Sequence, residues 1–346
     1  MRDMRSEEEK MKSPVDRFQR SIDYMRISVT DRCNLRCIYC MPEAGTVPIP
    51  HSETLKYEEI VSIVRAAVGM GLRKIRITGG EPLVRKNITH LIRLLSSMEG
   101  IEDLSLTTNG IFLAEYVEEL AEAGLHRVNI SLDSLKPDRY REITRGGDIE
   151  RVFKGIEAVQ KAGLVPIKIN MVPIRNLNDD EVGDFALMTL LDPYQVRFIE
   201  FMPFCGRDAW SPERVVPAEE IQKRIEKLGA LRPAKTKKSG PARYFAFEGA
   251  AGVIGFISPL SNHFCSECNR LRLTADGKLR PCLFSETEID LKSAVRGGGD
   301  DMEIRRLISL AIAVKPEGHN MEFRETLLGK TQKKKDSLKS MSKIGG

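Results

Sequence analysis

The feature that most constrains this chain is a period: a short apolar run of strand composition followed by an amphipathic helical run, six times in succession between residues 22 and 228. Strand patterns over 22–30, 74–78, 103–108, 127–132, 166–172 and 195–201 alternate with helical spacing over 57–68, 87–97, 113–121, 149–161, 180–190 and 218–228. In the helix predicted over 57–68, Ile60, Val64, Ala67 and Val68 share a face, and Gly69 and Gly71 follow where a C-cap belongs. Strands joined through helices cross over right-handed, so they lie parallel in one sheet. Six units are two short of a closed eight-stranded barrel. The expected fold is therefore α/β: a partial, six-unit parallel β/α barrel of TIM type. Its open side would admit a bulky ligand and needs a cover from elsewhere in the chain.

The pattern changes at RPAKTKKSGP, residues 232–241, which has the composition of a connector. Beyond it lie β-like runs such as 252–257 and an amphipathic stretch over 302–313. The expected organisation is a mobile arm over 1–20, the barrel over 21–235, a C-terminal region over 236–330 that covers the open side, and a flexible tail over 331–346. A length of 346 residues suits one barrel, roughly 250 residues, plus such an extension. With 41% hydrophobic and 30% charged residues, the composition is that of a soluble globular protein. No run of about 20 apolar residues could span a membrane, and the N-terminus lacks the apolar core of a signal peptide, so a cytoplasmic protein is expected. The net charge of +5 is spread along the chain, which argues against a nucleic-acid footprint while leaving a polyanionic small molecule compatible.

Seven cysteines form two sets of three with Cys205 left over, the last expected to be an ordinary buried thiol. An odd number in a chain without a secretory signal points to metal or redox chemistry rather than a disulfide framework. Cys33, Cys37 and Cys40 lie in SVTDRCNLRCIYCMP, residues 28–42, at the end of the first predicted strand. Three thiolates on one loop can hold three irons of a cubane and leave the fourth open. Electron-transfer clusters take a fourth Cys, whereas here no fourth Cys or nearby His follows, the closest candidate being His51. The second set, Cys265, Cys268 and Cys282, is equally compatible by spacing with a cluster or with a Cys₃His zinc site completed by His263. Arg270 and Arg272, spaced one apart on an extended segment, point to one side and suit phosphate oxygens, the alternative being a solvated strand face. Gly79, Gly80, Glu81 and Pro82 close the second strand. There, paired glycines expose backbone groups to a ligand and the carboxylate can accept from an ammonium, unless this is only a tight turn.

The cysteine loop, with Tyr39 before its last Cys, and the GGEP turn resemble the radical S-adenosylmethionine superfamily. The longer series TDRCNLRCIYCMP, KIRITGGEPL, LTTNG, NISLDSL, KINMV, RFIEFMP, FCSECNRLRLTADGKLRPCLF and a terminal Gly345 and Gly346 resembles the GTP 3′,8-cyclase family of molybdenum-cofactor biosynthesis. That resemblance runs from about residue 16 to 281 and returns at the C-terminus. It implies a 4Fe-4S cluster on Cys33, Cys37 and Cys40 that cleaves S-adenosyl-L-methionine, with Tyr39, Gly79, Gly80, Glu81, Ser131 and Met202 at the cofactor. It implies a second 4Fe-4S cluster on Cys265, Cys268 and Cys282, whose open iron meets guanine. Arg26, Arg76, Thr107, Lys168, Arg270, Leu271 and Arg272 would contact GTP, and Gly345 and Gly346 would thread into the active site as catalytic residues.

The implied reaction is abstraction of the ribose 3′ hydrogen by a 5′-deoxyadenosyl radical and attack on guanine carbon 8, giving (8S)-3′,8-cyclo-7,8-dihydroguanosine 5′-triphosphate. A reductant protein, handover to cyclic pyranopterin monophosphate synthase and a homodimer are further expectations. Gln19 departs from the family pattern, which has Gly there. Two rivals stand beside this reading: a radical enzyme acting on a peptide, and a non-enzymatic iron-sulfur or zinc protein that binds nucleotide or nucleic acid.

Overall fold

The computed structural model describes residues 13–204, 210–236, 240–319 and 341–344. Strands β1 (Tyr24–Ser28), β2 (Lys74–Thr78), β3 (Asp103–Thr108), β4 (Arg127–Ser131), β5 (Lys168–Met171) and β6 (Gln195–Ile199) pair in chain order, each parallel to the next. Helices α1 (Tyr57–Val68), α2 (Ile88–Ser96), α3 (Leu113–Glu122), α4 (Pro137–Thr144), α5 (Ile149–Lys161), α6 (Val182–Leu191) and α7 (Ala218–Glu226) follow the strands in order, α4 and α5 both lying between β4 and β5. Alternation along each strand separates two environments. In β2, Ile75 and Ile77 are fully buried in the apolar core, while Lys74 and Arg76 line the inner cavity. Each isoleucine so buried contributes about 1.5–3 kcal/mol, so this alternation holds the polar interior open against the core.

Helix α4 is absent from the sequence expectation because PDRYREIT is short and polar, burying only Tyr140, Ile143 and Thr144. Its last carbonyls nonetheless organise the first cysteine loop. Thr144 O accepts from Arg36 N at 3.1 Å and Ile143 O from Ile38 N at 2.9 Å.

The C-terminal region extends the sheet at both of its edges. Strand β9 (Val253–Ile257) runs parallel beside β6 and is continued antiparallel by β8 (Arg243–Phe247) and β7 (Leu231–Pro233). Strand β10 (Arg270–Leu273) runs parallel beside β1 and is continued antiparallel by β11 (Lys278–Arg280) and β12 (Ile289–Asp290). The order is β12-β11-β10-β1-β2-β3-β4-β5-β6-β9-β8-β7, and among the described residues no pairing joins its two ends. Helices α8 (Leu291–Arg296) and α9 (Asp301–Ala313) pack against α1. No described helix is long and apolar enough to cross a membrane.

The segment expected to be a mobile arm is, from residue 13, a packed turn. Val15 bridges Ser21, and Asp16 accepts from Phe18 N, Arg20 N and Arg20 Nε at 2.7–3.0 Å. Gln19 sits at φ +62° within that turn, the left-handed conformation that glycine adopts without a Cβ clash.

Candidate active site

The first cysteine loop leaves β1 at the C-terminal end of the parallel strands and curls over the cavity. Met41 N and Cys40 N both donate to Cys37 O. Burial holds the Cys33 thiol up at about 11 and also pushes that of Cys37 well above its ordinary range. The GGEP turn touches this loop backbone to backbone: Gly80 N donates to Thr30 O at 2.6 Å and Glu81 N to Arg32 O at 2.8 Å. A Cβ on Gly80 would stand 2.3 Å from Arg32 O, and one on Gly79 2.8 Å from Thr30 O. Close approach to the cysteine loop is therefore what both glycines supply.

Glu81 corrects the sequence expectation. Its carboxylate is 1% exposed and accepts from Leu83 N, Thr108 Oγ1 and Asn109 N at 2.7–3.0 Å. It caps the following 3₁₀ turn and ties it to the end of β3, and it does not line the cavity. Tyr39 does line it, held by a 2.6 Å bond from its hydroxyl to Asp133 Oδ2. Asp133 Oδ1 accepts from Val172 N, and burial lifts this carboxyl from 3.8 to about 6.

Deeper in, strand register sets cations side by side. Arg272, Arg26, Arg76 and Ser105 are neighbours across β10, β1, β2 and β3. Thr107, Asn129 and Lys168 are neighbours across β3, β4 and β5, and Asn170 stands beside Arg197. Arg127 is ion-paired with Asp103. Burial, then Arg197, Arg127 and Arg76, pull Lys168 from 10.5 to about 6. Burial and Arg270 bring Arg272 down to about 10. Thr107 Oγ1, Arg127 Nη1, Asn170 Oδ1 and Arg197 Nε are buried without a hydrogen-bond partner among the described residues. Like charges packed this way are costly unless an anion neutralises them.

The second cysteine set lies at the opposite end of the strands. Cys265 and Cys268 precede β10, which is parallel to β1, and Cys282 follows the antiparallel β11, so all three gather at the N-terminal end of the barrel. The cation rows lie between the two sets. Burial would raise the Cys268 thiol, but Arg270 and Lys315 together bring it down to about 6. His263, the zinc candidate, meets His319 edge-on with ring centroids 5.4 Å apart. No three His, Cys, Asp or Glu side chains converge on one metal ion among the described residues. A cubane does not require such convergence, because each thiolate takes a separate iron. All six described cysteines are thiols rather than disulfides, as cluster ligands must be.

One cavity of about 330 Å³ is lined by both cysteine sets. It brings together Tyr39, Gly79, Gly80, Ser131 and Met202 with Arg26, Arg76, Thr107, Lys168, Arg270 and Arg272. Strand alternation turns the Leu271 side chain into the core at 0% exposure, so its backbone is the part of it near the cavity. Gly345, Gly346 and Cys205 lie outside the described residues, although Met341, which opens the short helix α10 (Met341–Ile344), lines the cavity. Lys74, Asp133 and Arg197 also line it without having been singled out. Arg197 was signalled by the alternation of QVRFI, which puts it opposite in phase to Val196 and Phe198. Asp133 carried no local signal.

The model of the Radical SAM superfamily matches residues 27–188, and that of Molybdenum Cofactor Synthesis C matches 194–321. A GTP 3′,8-cyclase of Thermodesulfovibrio yellowstonii is 52% identical over 333 residues, 96% of this chain and 99% of the relative. A GTP 3′,8-cyclase of Pelotomaculum thermopropionicum is 53% identical over 308 residues, 88% of this chain and 95% of the relative. Among solved structures, Streptococcus suis SuiB bound to S-adenosylmethionine shares the fold, with a TM-score of 0.55 at 16% identity, covering 81% of this chain and 66% of that one.

Proposed function

The chain belongs to the GTP 3′,8-cyclase family, and from that premise we propose that it converts GTP to (8S)-3′,8-cyclo-7,8-dihydroguanosine 5′-triphosphate, the first step of molybdenum-cofactor biosynthesis. The observation that carries this reading is the single cavity with a three-cysteine set at each end and buried rows of cations between them. Three sulfur donors at each end, on loops braced by backbone contacts, fit an iron-sulfur cluster with one open iron.

When bound at Cys33, Cys37 and Cys40, a 4Fe-4S cluster with S-adenosyl-L-methionine supplies the one-electron cleavage chemistry by which the hydrogen leaves the ribose 3′ carbon. The chain's own residues bind, orient and shield. Gly79 and Gly80 offer backbone beside the cysteine loop, and Tyr39, fixed by Asp133, closes the cofactor end with Ser131 and Met202. Arg26, Arg76, Lys168 and Arg272 take the triphosphate, whose negative charge offsets their mutual repulsion, and Thr107 offers its unpartnered hydroxyl to the nucleotide. Cys265, Cys268 and Cys282 would hold the second 4Fe-4S cluster, and Arg270 stands beside them at the guanine end. Gly345 and Gly346, which follow the cavity-lining Met341 closely in sequence, are the catalytic residues of this reading. The protein acts in the cytoplasm as a homodimer, receives electrons from a reductant protein and hands its product to cyclic pyranopterin monophosphate synthase.

The test is an anaerobic incubation of the iron-reconstituted protein with S-adenosylmethionine, reductant and GTP, read by mass spectrometry. The expected products are 5′-deoxyadenosine and an isomer of GTP of unchanged mass. Cofactor cleavage that leaves GTP intact would assign the chain another substrate.

A further inference from the structure

We propose that Lys315 is the resident counter-cation of the second cysteine set, a positioning residue that joins its ligand segments and raises the reduction potential of the cluster they hold. The proposal rests on the reading of Cys265, Cys268 and Cys282 as cluster ligands.

Lys315 follows α9 and is 2% exposed. Its ammonium donates to Pro281 O at 2.7 Å and to Arg270 O at 2.8 Å, and stands 3.6 Å from Cys268 Sγ. Those three contacts use all three of its N–H donors. It is therefore not offering a proton to a substrate phosphate, as the arginines of β10 and β1 can. One side chain ties the segment entering β10 to the segment leaving β11, the two stretches of backbone that carry Cys268 and Cys282. Arg20 completes the clamp: its Nη1 donates to Cys265 O at 2.7 Å and to Glu317 O at 2.8 Å, and its Nη2 to Pro316 O at 2.7 Å. Lys315, Pro316 and Glu317 thus reach, directly or through Arg20, all three thiol-bearing segments.

No described carboxylate pairs with Lys315, and its nearest anionic partner is the Cys268 sulfur. A buried ammonium without a counter-charge is heavily penalised, so the charge that balances it is that of the thiolates and the cluster. A cluster becomes more negative by one unit when it takes up an electron. A fixed cation beside a ligand sulfur favours that reduced state, in the way that hydrogen bonds and charge near cluster sulfurs set potentials generally.

The test uses the full chain with Cys33→Ala, Cys37→Ala and Cys40→Ala, so that only the second set can hold iron. Lys315→Gln, which keeps donors for the two carbonyls and removes the charge, and Lys315→Arg, which keeps the charge, are compared with the parent by iron analysis and redox titration followed by paramagnetic resonance. The Gln variant is expected to retain its iron while its reduction equilibrium weakens at least about tenfold, ~59 mV for one electron, and the Arg variant to stay close to the parent. Iron loading in the Arg but not the Gln variant would also uphold the role of the charge. A fully loaded Gln variant that titrates with the parent would overturn the proposal, as would equal loss of iron from both variants with unchanged thermal unfolding. A parent without iron would instead remove the second-cluster reading.

Discussion

Replacing Lys168 with methionine is expected to stabilise the substrate-free protein while abolishing its response to GTP. Burial first, and then Arg197, Arg127 and Arg76, lower Lys168 from 10.5 to about 6, with Asp103 opposing weakly. Between those values the unfolded chain carries a proton on this residue that the folded chain lacks, so its contribution to stability rises with pH across that window. At pH 8 the folded protein keeps the amine neutral, and the cost of removing its proton is about 3 kcal/mol, at ~1.36 kcal/mol for each factor of ten. Methionine has a similar reach and no proton to lose, so the variant should gain up to about 3 kcal/mol, less whatever packing it forfeits. A triphosphate reverses the balance by restoring the ammonium. GTP binding at pH 8 should then take up about one proton, and affinity should fall by up to about tenfold per unit as pH rises from 7 to 9. Urea unfolding of the substrate-free protein gives the first quantity, and calorimetry in two buffers of different ionisation enthalpy gives the second. A methionine variant no more stable than the parent, together with GTP binding that moves no proton, would refute the reasoning.

Three further outcomes follow from the geometry. Gly80→Ala must push the GGEP turn off the Arg32 carbonyl, which a Cβ would approach to 2.3 Å; cleavage of S-adenosylmethionine should drop about a hundredfold, with iron on the first cysteine set reduced and the urea midpoint lowered. Gln19→Gly should raise stability by about 0.5–1 kcal/mol, because the residue sits at φ +62°, and a lower urea midpoint would contradict the assignment of strain. Glu81 is raised from 4.5 to about 7 by burial. The folded state therefore holds its proton longer than the unfolded chain, and stability from this group is lost as pH rises from about 4.5 to 7. Glu81→Gln should flatten that decline while costing about 1–3 kcal/mol through its mismatched backbone donors, both measurable as unfolding midpoints across that pH range.

Much of the fold was legible because its signals are local. Whether residues 74–78 form a strand facing helices with Ile75 and Ile77 and a cavity with Lys74 and Arg76 follows from period-two alternation alone. The two cysteine sets and the paired glycines were readable as spacings, and Arg270 and Arg272 as neighbours in phase on one strand. Local signals failed where a contact replaced the solvent that the pattern assumed. Glu81 reads as an available carboxylate, yet Leu83 N in its own turn and two donors at the distant end of β3, Thr108 Oγ1 and Asn109 N, consume it. The polar sequence of α4 reads as loop, yet its terminal carbonyls brace the first cysteine loop.

The sequence by itself determined six βα units in a parallel sheet and the spacing of two sets of three cysteines. Only the tertiary structure decided that β9 and β10 take opposite edges of the sheet, which puts the second set at the far end of the cavity from the first. It alone decided that Arg20 meets Cys265 across 245 residues, and that Lys315 meets Cys268 across 47. The physical reason is that periodicity records which face of an element is apolar, a property of neighbouring residues. The environment of a buried charge is set by groups that chain folding brings near, and no local pattern records how far away those groups lie in sequence.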